Sequence, residues 1–546
     1  MSNRTSRIVL ALALGVCAPL TASAQSAAGA QLLPGMGSYS HPIATSSAEA
    51  QQYFDQGLAL LYNFNHAEAE RSFLKAAELD PTGPMPWWGV GVALGLNYNR
   101  DVAKLEGERL QRAFDAAQKA VSLSRGGSPI EAALAGALAT RYSLDPAAKP
   151  DALNQRYREA MADVHRRFPD DPDIAVMLAD AVMNLRPWEL WALDGTPAPD
   201  TLELVALLEG VLRRYPDHPG ANHYYIHAVE ASPTPERAMA SAARLETLVP
   251  GAGHLVHMPT HIYIHTGDID RVAALNAKAA EADERYIELA KPEGVYPFMY
   301  YAHNLHFVMV GHLATGRYEA SVAVARQMAG MAAPHVAEMG PMVEWVVALP
   351  LLAQIRFHKW DDILAAPRPP DSQRLVRALD DYARALALSM RGMRQNAGEE
   401  AARFETDRLK VTNETLVVSF NPGPTVLAML SELLKGQLAA TPAEAESHLR
   451  AAVALQDAFH YDEPAPVPWS TRETLGAMLL KAGRPADAET VFRADLAKYP
   501  RSARSLFGLM TSLDSQGRTA EAAIVRREFT TAWRLATSPL TIEALY

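Results

Sequence analysis

Eight of the 17 histidines in this 546-residue chain fall between His223 and His306. They are His223, His227, His254, His257, His261, His265, His303 and His306. His223, His227 and Glu230 stand at i, i+4 and i+7, one face of a helix. His254, His257, His261 and His265 have offsets of 0, 3, 7 and 11, which fall within an arc of about 80° on a helix. Pro259 kinks or begins that second helix. His303 and His306, at i and i+3, share a face of a later one. Neutral imidazoles with one carboxylate suit zinc, copper or non-haem iron. One histidine on a helix face is ordinarily a satisfied polar residue. Six or more on shared faces predict a metal site, with Glu230 as a ligand or a general base and Asp268 and Glu281 as orienting groups behind the ligands.

Aromatic and amide residues give a second signal. Trp88, Asn184, Trp188, Tyr224 and His254 are the candidates for a ligand-binding groove beside the metal set. Trp87, one step round from Trp88, is expected to pack, as are most tyrosines of the His-rich segment, and Asn65-His66 reads as a turn. Other chemistry is excluded by what is missing. The single cysteine, Cys17, lies in the leader-like start of the chain, so no later thiolate is available as nucleophile or ligand. The sequence has no Gly-x-Ser-x-Gly elbow, no phosphate-cradling glycine loop, no dinucleotide fingerprint and no His-Glu-x-x-His order.

The elements that must position these groups are helical. Apolar runs such as Ala323–Met331, Val343–Ile355 and Val426–Leu434 follow helical periodicity. Thr415–Phe420 is the one strand-like run, too short to build a sheet. A repeat underlies the helices. Gly57, Ala69, Phe73 and Pro81 have the same separations as Gly476, Ala488, Phe492 and Pro500, and a shift of 34 takes Tyr53 to Trp87, Gly57 to Gly91 and Pro216 to Pro250. The segment Tyr53–Pro81 resembles a tetratricopeptide repeat, a pair of antiparallel helices in a 34-residue unit. The phrase His257-Met-Pro-Thr-His261-Ile-Tyr looks like exported bacterial members of that family.

The resemblance implies an all-α helical-repeat superhelix, or solenoid, whose first helices line a concave groove that takes peptides or partner proteins. His223 and His227 stand 7 and 11 residues after Pro216, as His257 and His261 do after Pro250, so both pairs occupy equivalent places on successive first helices. Packed helices lie about 8–10 Å apart, which lets the two pairs converge. Trp88 stands 7 residues after Pro81 and is expected to face the same groove. Peptide-binding arrays line that groove with Lys, Arg and Asn; His, Glu and Trp stand here instead.

Arg4 and Arg7, the apolar run Ile8–Leu20 and Ala22-Ser23-Ala24 predict a cleaved signal peptide over 1–24 and a periplasmic or secreted protein. A flexible segment over 25–45 is expected next, then repeats over 46–145, a central His-rich set over 146–345 and a last set over 346–546. Long loops are expected at Leu144–Lys149, Trp191–Pro199, Leu289–Pro297, Ala366–Asp371, Asn413–Pro424 and His460–Trp469. A formal charge of −11 argues against nucleic acid as partner, and the short apolar run against a transmembrane anchor. Two readings stand: a groove holding a transition metal (Zn, Cu or Fe) and a small substrate, or a metal-free cell-envelope scaffold for proteins or peptides.

Overall fold

The computed structural model describes residues 29–99, 105–292, 296–340 and 343–546. The leader expected over 1–24 lies outside them. The fold is all-α, built of helices joined in pairs by short turns, with one two-residue antiparallel ladder among the described residues, Leu416–Val417 of the strand-like run against Asn421–Pro422 just beyond it. Among the described residues no helix is long and apolar enough to cross a membrane. The chain forms two compact units. Within the described residues one comprises 29–262 and 275–304, the other 263–274 and 305–546.

The repeat arithmetic has a physical cause. Helices end at Leu79, Arg214, Leu248 and Lys498, and the next begin at Pro84, Pro219, Gly253 and Ala503. Each new helix starts three residues after Pro81, Pro216, Pro250 or Pro500, because proline cannot extend the helix before it. Phe73, fully buried, is wedged between Gly57 of its own pair and Gly89 of the next. A Cβ on either glycine would stand 2.6 or 2.5 Å from the Phe73 ring. Phe492 sits between Gly476 and Gly508 in the same way. The residue facing Phe73 is thus Gly89, and Gly91, the 34-residue equivalent of Gly57, packs on Leu138 instead.

Residues before the first helix, Ala48–Tyr62, have no regular structure but are tied to the helices. Leu33 N–H donates to Gln56 Oε1 at 2.6 Å, Ala44 N–H to Glu131 at 2.7 Å, and Tyr39 OH to the buried Asp173 at 2.6 Å. The turn Asn63–Asn65 joins the first helix to His66–Leu79, with Asn65 capping the second by accepting from Glu68 N–H. Phe64, in the middle of that turn, has φ of +55°. A bulky aromatic residue seldom adopts this conformation without a local reason.

Candidate metal centre

The helix Pro219–Val229 carries His223 and His227, and Glu230 stands at its C-cap. His218 caps its start: Nδ1 accepts from Ala221 N–H, and Nε2 faces Asp173 at 3.2 Å. The 34-residue equivalent is broken at Met258 into Gly253–His257 and Pro259–Thr266, as Pro259 requires. A π-helical turn, Pro297–Tyr301, leads into Ala302–Ala314, which carries His303. The buried Asp283 anchors this last segment by accepting from Tyr296 OH at 2.8 Å and Asn304 Nδ2 at 2.7 Å. Its carboxylate occupies the place a Cβ on Gly253 would take, so glycine is needed where the chain turns into His254.

Six histidines meet in two groups of three. The ligand atoms of His223, His227 and His254 lie within 4.8 Å of one another, and so do those of His257, His261 and His303. Glu230 lies within the same distance of His227 and His261. His223 and His257 are fully buried, and His227, His254, His261 and Glu230 nearly so.

Hydrogen bonds fix the tautomers. His223 Nδ1–H donates to the Tyr62 carbonyl at 2.5 Å, which leaves its Nε2 a bare lone pair without a partner. Glu230 accepts from His227 Nδ1–H on one oxygen at 2.8 Å and from His261 Nδ1–H on the other at 2.5 Å. His227 Nε2 has no partner, and neither nitrogen of His254 has one. Thr260 OH donates to the His257 carbonyl at 2.7 Å and so accepts from Asn276 Nδ2 at 3.0 Å. That leaves Asn276 Oδ1 to accept from His257 Nδ1–H at 2.5 Å. His257 and His261 meet Nε2 to Nε2 at 2.7 Å, with His303 Nε2 3.1 Å from His257 Nε2.

Electrostatics agree with the geometry. Burial first, then neighbouring imidazoles, push His223, His254 and His257 well below the usual histidine range, so their nitrogens are neutral at pH 7. Burial alone would raise Glu230, but His227 and His261 outweigh it and bring the carboxyl down to about 2. An ionised carboxylate is thus held inside the cluster.

Aromatic rings enclose the first group. Phe64 lies 4.6 Å from the His223 ring, 5.6 Å from His254 and 5.8 Å from His227 (centroid distances). Tyr98 and Trp188 stack at 5.1 Å and approach His227 at 5.2 and 5.6 Å, while Tyr300 meets His254 edge-on at 5.0 Å. Trp188, like Phe64, has a positive φ, +61°.

Sequence candidates divide accordingly. His254, expected in a substrate groove, joins His223 and His227. Glu230 orients two imidazoles. His265 is in neither group and lies 3.0 Å from both Tyr461 OH and Glu463. His306 is buried and belongs to neither group. Tyr224 packs on Phe64 and Tyr62, Asn184 caps its own helix end on the Asp180 carbonyl, and Trp88 is buried. Asp268 pairs with Arg501 at 2.9 Å and Glu281 is exposed, so Asn276 and Glu230 do the orienting expected of them. Tyr62, Phe64, Thr260 and Asn276 went unseen in the sequence; the only trace of Asn276 is its buried polar place in the apolar face of Ile269–Ala290.

No family model matches the chain, and no curated relative does. Solved structures of similar helical arrangement include a human IFIT1 dimer with m7Gppp-AAAA, at 11% identity and TM-score 0.30, covering 90% of this chain and 91% of that one. Yeast Tom70 matches at 12% and 0.30, covering 88% and 96%, and the P58(IPK) TPR domain at 12% and 0.20, covering 86% and 99%. At such identities and scores none of them says what this chain binds.

Proposed function

We propose that this protein holds two transition-metal ions side by side, one on His223, His227 and His254 and one on His257, His261 and His303. Glu230 is the shared carboxylate behind them, orienting one ligand of each ion. The observation that carries the reading is the meeting of six buried or half-buried imidazoles in two groups of three, ligand atoms within 4.8 Å of one another, with the Nε2 atoms of His223 and His227 buried without partners. Three imidazoles with room for a further ligand suit zinc or copper first and non-haem iron next. A small substrate approaching the first ion meets Phe64, Tyr98 and Trp188. The leader-like residues 1–24 support an exported protein.

The test is elemental analysis of the untagged protein. Wild type should carry about two equivalents of zinc, copper or iron, and the His223→Ala/His257→Ala double variant close to none. No metal in wild type, even after incubation with each of the three ions, overturns the proposal and leaves the metal-free protein-binding scaffold as the reading.

A further inference from the structure

The unit comprising 263–274 and 305–546 carries an open cavity of about 710 Å3, large enough for a small metabolite. Arg356, Arg504 and Glu473 lie in its wall. Glu473 takes both terminal nitrogens of Arg356, at 2.6 and 2.9 Å, and that pair is matched. Arg504 is not. It is 4% exposed, and its terminal nitrogens donate only to the Arg356 carbonyl, at 3.2 Å, and to the Ala544 carbonyl. Among the described residues no carboxylate pairs with it, and the Nε–H groups of Arg504 and Arg356 are both buried without partners. Asp495, in the same wall, is turned to the hydroxyls of Ser470 and Ser505. At the rim Arg501 and Arg534 are matched by Asp268 and Asp270.

A buried guanidinium with no carboxylate bonded to it is costly even with Glu473 nearby, and a guanidinium fork fits a carboxylate better than any other common group. The rest of the wall includes Val310, Val467, Pro468 and Trp469, apolar surface for an organic body. We propose that this cavity binds a small organic carboxylate, its charge beside the terminal nitrogens of Arg504 and its body against Val310, Val467 and Trp469. Burial and the charge of Arg356 push Arg504 down to about 9, which an incoming anion reverses. The site is independent of the metal ligands.

Isothermal titration of the full chain with sodium benzoate and sodium hexanoate, beside benzyl alcohol and inorganic phosphate, decides the matter. Saturable one-to-one binding of a carboxylate is expected, with benzyl alcohol and phosphate at least about tenfold weaker. Ala314→Trp, which narrows the cavity while leaving both arginines, should weaken binding, and Arg504→Met should weaken it at least about tenfold. Absence of carboxylate binding to wild type overturns the proposal, whatever the variants do. So does equal binding of benzyl alcohol or phosphate, or full affinity retained in folded forms of both variants.

Discussion

Glu230 does two jobs with one side chain, because each oxygen holds the Nδ1–H of a histidine belonging to a different group. Replacing it by glutamine keeps the shape but turns one acceptor into a donor, which then faces an N–H. Groups that orient metal ligands typically matter by about 10–100-fold in affinity, and Glu230→Gln should weaken binding of both ions within that range. Competition with a chromophoric chelator measures it, and unchanged affinity would show that the carboxylate does not position the ligands. The buried imidazoles also set a pH dependence. His223, His254 and His257 are held neutral by burial in the folded chain, while in the unfolded chain they take protons near 6.5. The unfolded state therefore binds more protons as pH falls below about 6.5, and stability of the metal-free protein is lost in that direction, by up to ~1.4 kcal/mol per pH unit for each group. Urea midpoints of the apoprotein should drop from pH 7.5 to pH 5; a midpoint that held or rose would contradict the neutral state.

Helices supply the faces, and turns supply the approach. The spacing of His223, His227, His257 and His261 was readable because a helix converts residue number into direction, and the prolines 34 residues apart set both helices in one register. Periodicity does not say which distant turn or helix lies opposite a face. Phe64, 159 residues before His223, and Tyr62, 161 before it, reach the site through the close packing of helix pairs, which local pattern does not encode. His265 shows the converse: it shares the face predicted for His254, His257 and His261, yet it meets Tyr461 and Glu463 and joins neither group of three. At this scale Gly253 is the sensitive point. Gly253→Ala drives a Cβ into the Asp283 carboxylate, displacing either the turn into His254 or the segment bearing His303. We expect markedly reduced metal content with the far-UV circular dichroism retained. Full metal content would mean that Asp283 gives way without moving either ligand.

Across the molecule, the all-α repeat class was legible because glycine and phenylalanine recur where helices cross, and Phe73 and Phe492 occupy equivalent wedges in the two compact units. Phe73→Ala leaves a cavity between three helices and should cost about 3–5 kcal/mol, read from chemical unfolding; a loss below about 1 kcal/mol would show that the neighbouring pairs close over it. A ligand that binds only the folded chain stabilises it, so under the two-ion proposal a chelator should lower the melting temperature of the purified protein, and returning the metal should restore it. Anomalous diffraction from crystals of the metal-loaded protein, collected at the absorption edge of the bound ion, locates the centre itself. Two peaks are predicted, one among the Nε2 atoms of His223, His227 and a nitrogen of His254, the other among the Nε2 atoms of His257, His261 and His303. A single ion bound directly by the Glu230 oxygens, or no peak among these six histidines, would contradict the two-ion centre.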